Sequence, residues 1–306
     1  MSLEHELIEV CGGRDGKGYA SAIDKKRIAR QIAGALVGQL GYSKKLRARD
    51  LRGRHVQKVV AHWKDQGLEV GTIKNRMVVV RKIYKRLGKG HMVLTNEAYG
   101  LGKRPLRTVS RARELSEEAL AAIDSKFADR IRISLKLERY LGLRYEESVK
   151  LVPGEAIDRD GDGQIIGLRL MGSWCKSGRT RRLLIEKEMQ QDLLEEALLI
   201  AGGGSLIHPH RDYKQWRNHF YYYCGKAGIR DRHALRHQYA QQRYTELTGR
   251  PAPILNLDAG VSEEVDLSWV DDDRAYRVIA NELGHGRKHI ASAYLGKSKT
   301  KKGRAA

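Results

Sequence analysis

The segment "HALRH", residues 233–237, sets His233, Arg236 and His237 at i, i+3 and i+4, on one face if the segment is helical. Two imidazoles and a guanidinium on one stripe suit three ends: a solvated surface, a metal site, or a pocket that grips an anion. Zinc would want a glutamate base between the helix histidines, as in H-E-x-x-H, but Ala234 and Leu235 stand there, and Arg236 would repel a cation. A further pair of imidazoles in "HPH" (208–210) does not change that. Calcium fails on similar grounds. "DRDGDG" (158–163) places Asp158, Asp160 and Asp162 at EF-hand positions one, three and five, yet position twelve is Arg169 where a bidentate glutamate belongs. It reads as an Asp/Gly turn. No metal is expected, and the arginine that argues against one argues for an anion.

An anion clamp needs more than one base. Arg144 in "LGLRYEES" sits where a helix meets a turn, with Glu147 at i+3 able to orient it. Lys176 falls at the tip of an expected hairpin, a rigid mount for one ammonium. His285 lies in "LGHGRKHIASAYLG", nine residues before Tyr294. Each alone has an ordinary reading: a surface ion pair, a solubilising lysine, one of fourteen tyrosines. Together and in order, "LGLRYEESVKL" (141–151), "CKSGRTRRLLI" (175–185), "HALRHQYA" (233–240) and "LGHGRKHIASAY" (283–294) resemble the tyrosine recombinase (phage integrase) family. The stretch "TIKNRMVVVRKIYKRL" is similar to that family's helical core-binding domain, so the resemblance runs over about residues 20–296.

The resemblance implies a reaction. Tyr294 would attack the scissile phosphate, leaving a 3′-phosphotyrosyl bond and a free 5′-hydroxyl. That bond keeps the phosphodiester's energy, so rejoining needs neither ATP nor metal and no cofactor is expected. Arg144 and Arg236 would hold the non-bridging oxygens with forked guanidiniums. Lys176 would protonate the departing 5′-oxygen, His233 would assist proton transfer near the nucleophile, and His285 would brace the phosphate. Glu147 would fix Arg144, while His237 would support from one turn beyond His233. Double-stranded DNA is the implied partner, with a homotetramer on paired sites and accessory DNA-bending or directionality proteins. The implied role is integration of a mobile element, with chromosome-dimer or transposon resolution as the alternative. A type IB topoisomerase shares the chemistry. A non-catalytic architectural DNA-binding protein is the alternative outside that class, and it would predict a broken nucleophile or arginine pair.

The elements that must position these residues are mostly helical. Residues 1–18 are polar, glycine-containing and expected to fray. From Ala20, Ile28, Ile32, Leu36 and Leu40 keep one apolar helical face until Gly41. A second helix is expected over 55–67 and a third over 71–90, with Thr72 as N-cap and Ile73, Met77, Val80, Tyr84 and Leu87 inward. The third helix's other face carries Lys74, Arg81, Lys82, Lys85 and Arg86, read here as DNA-backbone contacts. Residues 19–95 therefore read as helical, and the resemblance implies that they form the family's core-binding (SAM-like) domain; 96–115, with two glycines, a proline and no apolar period, read as a linker. Over 116–306 the pattern predicts a mostly helical α+β catalytic domain: a helix capped by Ser116, another over 128–141, a small antiparallel hairpin (165–171 and 180–186), and helices at 187–200, 213–226, 231–247 and from about 274. The fold class is mainly α.

Composition agrees with a polyanionic partner. There are 58 Lys+Arg against 37 Asp+Glu, a formal charge of +21. Residues 1–110 carry 24 bases and 9 acids, a surplus of 15. No apolar run approaches the ~20 residues that span a bilayer. The acidic start "MSLEHELIEV" lacks a signal peptide's basic and apolar stretches, and Cys11, Cys175 and Cys224 offer no disulfide framework. A cytoplasmic, nucleoid-associated protein is expected. The chain departs from the family between HALRH and LGH, where 45 residues (238–282) intervene. They include a loop expected over about 249–273, whose segment "LDAGVSEEVDLSWVDDD" holds seven acids and no base. Such a loop would face away from DNA or meet a basic surface on a neighbouring subunit; a tolerated surface insertion is the equal alternative. The tail, 296–306, is basic.

Overall fold

The computed structural model describes residues 1–12, 19–104, 109–175, 178–258 and 269–296. The chain divides into two compact units, Met1–Leu106 and Arg107–Ala306.

The first unit is helical: α1 (Leu3–Cys11), α2 (Tyr19–Gly34), α3 (Gly53–Asp65) and α4 (Val70–Arg86), with one π-helical turn at Ala35–Gln39 ending α2. The fraying expected at the start is corrected over residues 3–11; residues 13–18 lie outside the described ones. Leu3, Leu7 and Cys11, spaced at i, i+4 and i+8, form a buried stripe, and Ser2 caps the helix by accepting the His5 N–H. Polarity alone had hidden three apolar residues at helical spacing. The N-cap expected at Thr72 is also corrected. The Glu69 carbonyl accepts the N–H groups of Thr72 (2.8 Å) and Ile73 (3.1 Å), so Thr72 already lies within the first turn of α4. Ile73, Met77, Val80, Ile83 and Tyr84 face the core with Val56, Val59 and Trp63. Tyr99 and Leu101 join that core, and the Lys64 ammonium donates to the Tyr99 carbonyl at 2.6 Å. The front of the expected linker is thus packed structure, because its two apolar side chains found a core that a search for period could not register.

The second unit holds α5 (Glu117–Ala121), α6 (Ala128–Tyr140), α7 (Tyr145–Lys150), α8 (Pro153–Ala156), strands β1 (Ile157–Arg159), β2 (Ile165–Leu170) and β3 (Arg181–Leu184), then α9 (Glu188–Ala201), α10 (Tyr213–Lys226), α11 (His233–Thr248), α12 (Pro253–Asp258), α13 (Trp269–Glu282) and α14 (Ser292–Leu295). Ser116 caps α5 by accepting the Ala119 N–H at 3.2 Å. The sheet is antiparallel in the order β1-β2-β3; β2 and β3 are the expected hairpin, and β1 is an addition. Alternate residues of α6 serve two cores: Ile131 and Leu135 meet Trp216 and Phe220, while Ile133 and Leu137 meet Leu168, Leu183 and Leu194. A helix apolar on two flanks belongs in the middle of its unit, and α6 packs against α7, α9 and α11. A third core gathers Tyr239 and Tyr244 of α11, Ile279 and Leu283 at the end of α13, and Tyr294 and Leu295 of α14.

The loop expected over 249–273 is corrected at both ends, by α12 and by α13 starting at Trp269; residues 259–268 lie outside the described ones. The acids at its end are structural. Asp272 is buried, accepts the Tyr244 hydroxyl and pairs with Arg250 at 3.0 Å; Asp273 pairs with Arg277 at 2.6 Å and with Lys288.

Candidate active site

Glu147 organises the site. It sits in the first turn of α7, fully buried, and its Oε2 accepts the backbone N–H of Arg144 at 2.7 Å, closing the helix start. Its Oε1 accepts Arg144 Nη1 at 2.6 Å. A third arginine takes both oxygens: Arg181, the first residue of β3, donates Nη1 to Oε1 and Nη2 to Oε2, each at 2.8 Å. Arg236 comes from α11, with Nη1 3.8 Å from Oε2. Burial pushes the Glu147 carboxyl up, but Arg181, Arg144 and Arg236 outweigh it and hold it at about 2.

Two glycines make room for this cluster. Gly142 adopts φ +62°, lies against the Tyr239 ring where a Cβ would approach to 2.5 Å, and offers its carbonyl to Arg236 Nη1. Gly284, at φ +66°, passes so close that a Cβ would stand 2.7 Å from Arg181 Nη1. Beside it, Leu283 O accepts Arg236 Nη2 at 3.0 Å and Glu282 O accepts Arg181 Nε at 3.0 Å. Arg236 is 1% exposed, and its Nε has no hydrogen-bond partner among the described residues. Arg144 keeps 21% of its side chain exposed.

The turn after Gly284 carries His285, whose Nε2 lies 3.2 Å from the Tyr294 hydroxyl. Burial, then Arg144, Arg236 and Arg181, lower the imidazole to about 4. It is therefore neutral at pH 7, and a neutral ring with an unprotonated Nε2 can accept the phenol's hydrogen. Tyr294 itself is 4% exposed. Its ring centroid lies 4.6 Å from that of His237, 5.6 Å from that of His233, and 6.0 Å from the Arg236 guanidinium. Gln241 donates to the Tyr294 carbonyl at 3.0 Å, holding α14 against α11. The structure thus brings Arg144, Glu147, Arg236, His237, His285 and Tyr294 together, with His233 at the exposed start of α11. Lys176 lies outside the described residues, between the described strands β2 and β3. Tyr244, the other tyrosine of α11's inner face, is buried and bound to Asp272; burial raises its hydroxyl first, the aspartate further.

Sequence reasoning missed Arg181, whose partner is 34 residues away and whose inward direction depends on the sheet. In the first unit, Arg81 donates to Leu94 O (3.1 Å) and Asn96 Oδ1 (2.9 Å), and Arg86 donates to Val10 O. Two of the five expected DNA contacts therefore bind their own chain; Lys85 is exposed, and Lys74 and Lys82 are half-buried. A concavity elsewhere in the unit is lined by Tyr42, Lys45, Arg49, Arg52, Arg54 and Lys89. The run "SKKLRARDLRGR" (43–54), with six bases in twelve residues, was the available signal.

A buried, carboxylate-organised arginine cluster thus stands beside a tyrosine hydroxyl, in a mainly helical unit with a three-stranded sheet. The chain belongs to the phage integrase, or tyrosine recombinase, family: the model for "Phage integrase, N-terminal" matches residues 1–93 and that for "Integrase" matches 106–242. The second match ends before His285 and Tyr294. No curated protein sequence matches the chain. Among solved structures, the chain is similar to a lambda integrase dimer bound to a COC′ core site (TM-score 0.60, 14% identity, 98% of this chain and 80% of that one). It is also similar to the Tn1549 transposon integrase in complex with circular intermediate DNA (0.54, 11%, 97% and 96%) and to XerH site-specific recombinase bound to difH substrate (0.52, 14%, 97% and 81%). At these identities the likeness is one of fold.

Proposed function

We propose that this chain is a site-specific DNA recombinase that cuts and rejoins duplex DNA through a 3′-phosphotyrosyl intermediate on Tyr294. The observation that carries the reading is the Tyr294 hydroxyl 3.2 Å from a neutral His285, beside two arginines organised by one buried carboxylate. In this reading Arg144 and Arg236 bind the non-bridging oxygens, and their charge counts most as the phosphorane builds negative charge. The phenol's proton leaves toward His285, with His237 and His233 lining the tyrosine ring. Lys176 protonates the departing 5′-oxygen, so the bond from phosphorus to Tyr294 forms as the bond to the 5′-oxygen breaks. Reversal with a new 5′-hydroxyl seals the strand, and no cofactor enters. Recombination of this kind pairs two sites on a homotetramer, and a solved relative described as a lambda integrase tetramer bound to a Holliday junction supports that stoichiometry. The role proposed is integration of a mobile element, acting at the nucleoid in the cytoplasm, with accessory DNA-bending or directionality proteins.

The test is denaturing electrophoresis of the protein with a labelled, nicked duplex carrying its site, found by mapping the ends the purified protein joins. Tyr294→Phe should bind that duplex normally and form no covalent adduct. A persistent adduct in the variant moves the nucleophile elsewhere, and none in the wild type favours an architectural DNA-binding protein. Ends that mark one chromosomal site, with no element between them, favour the resolvase reading.

A further inference from the structure

We propose that Arg181 is a positioning residue of this site. By occupying both oxygens of Glu147, it keeps that carboxylate, already bonded to Arg144, from also capturing Arg236, whose guanidinium stays available to a bound phosphate. The inference deepens the reading above and rests on it.

One carboxylate here faces three guanidiniums. Arg181 engages it side-on with two parallel 2.8 Å bonds, Arg144 touches Oε1 at 2.6 Å, and Arg236 waits 3.8 Å from Oε2. Without Arg181, a shift of about one ångström would turn the Arg236 approach into a hydrogen bond. In a buried site such a charge-assisted pair is strong, and an arginine so engaged offers less to a phosphate. Arg181 is well placed to prevent this. It is 9% exposed, it enters from β3, and its Nε is anchored on Glu282 O, next to the Leu283 carbonyl that anchors Arg236. Both arginines thus hang from the same end of α13 and address the same carboxylate from different elements.

The dull alternative is a strut that ties β3 to α13. The two roles part on the charge of Glu147: a strut works whatever that charge is, whereas a competitor for the carboxylate becomes unnecessary once the carboxylate is gone. Single-turnover adduct formation by the full chain on the nicked duplex should fall about 10²-fold in Arg181→Gln, with duplex affinity changed only a few-fold. Arg181→Gln/Glu147→Gln should then recover about tenfold over Arg181→Gln alone, a coupling expected of residues in contact. Arg181→Lys, which keeps a charge but not the fork, should fall between. A double variant as slow as Arg181→Gln, or slower, overturns the proposal in favour of the strut. If Arg181→Gln does not fold, Glu147→Gln and the double variant are compared instead: equal rates support the proposal, and a further loss on removing Arg181 overturns it. Inorganic phosphate supplies a readout free of strand cleavage. Its apparent affinity, read from thermal stabilisation, should weaken about tenfold in Arg181→Gln and return in the double variant. If phosphate affinity does not move in Arg181→Gln, or does not return, the proposal fails. A wild type that forms no adduct sinks the recombinase reading, and the phosphate series still decides Arg181.

Discussion

Lys176 is the residue whose ordinary explanation is hardest to displace, since a hairpin lysine serves solubility well. If it is the general acid, Lys176→Ala should slow cleavage by about 10²–10⁴ with site binding nearly intact. Rate alone does not separate a lost proton donor from a lost phosphate contact. A substrate with sulfur at the bridging 5′ position does, because a thiolate leaves without a proton. On it Lys176→Ala should regain most of its rate, whereas Arg236→Ala should not; equal slowness of the lysine variant on both substrates would assign it to positioning. Glu147 makes a separate prediction about stability. Its carboxyl is held at about 2 in the fold against an ordinary 4.5, so its ion pairs stabilise above pH 4.5 and are lost as pH falls through 2. Thermal unfolding followed from pH 5 to 2 should therefore fall less steeply in Glu147→Gln than in wild type; parallel curves would contradict the shift. What a reader of sequence can see here is local. Glu147 meets Arg144 at i+3 within one helical turn, a contact that spacing alone suggests, whereas Arg181 reaches the same carboxylate from another element and no spacing rule points to it.

At the scale of elements, the legible parts are those with strong period or punctuation: α4, α6, α11 and the β2–β3 hairpin fall where apolar spacing and turn residues put them. The parts that were not legible share a cause. α1 is nine residues long with charges between its apolar positions, and α12 lies inside an acid- and proline-rich stretch. Both are short, so packing rather than propensity makes them, and packing is not written in one segment. The basic face of α4 teaches the same lesson about charge. A stripe of bases on a helix reads as a DNA face; Arg81 and Arg86 also bind carbonyls of their own unit, and further exposed arginines stand on the loop before α3 (Arg52) and at its start (Arg54). Duplex affinity should consequently be more salt-sensitive through that loop. The slope of log affinity against log salt should be steeper than about −4 in wild type and flatter by about 2 in Arg52→Ala/Arg54→Ala. An unchanged slope in the double variant would return the contact to α4.

For the whole molecule, the formal charge of +21 is a statement about partners that the fold does not explain. Among the described residues no helix is long and apolar enough to cross a membrane. Two of the seven acids in the acidic segment have a domestic use: Asp272 and Asp273 hold Tyr244, Arg250, Arg277 and Lys288, so that end of the insertion is part of the core around Tyr294 rather than a loose appendage.

Gln241 has a consequence of a mechanical kind. Its amide nitrogen bonds the Tyr294 carbonyl at 3.0 Å and the Ser110 hydroxyl at 2.9 Å, and Ser110 lies just inside the second unit's N-terminal boundary. One buried amide therefore ties the short helix of Tyr294 to the start of the second unit. A four-residue helix has little cohesion of its own, so α14 keeps its place through such bonds rather than through its own backbone. Residues near the two ends of the described second unit, Ser110 and Tyr294, thus share one side chain.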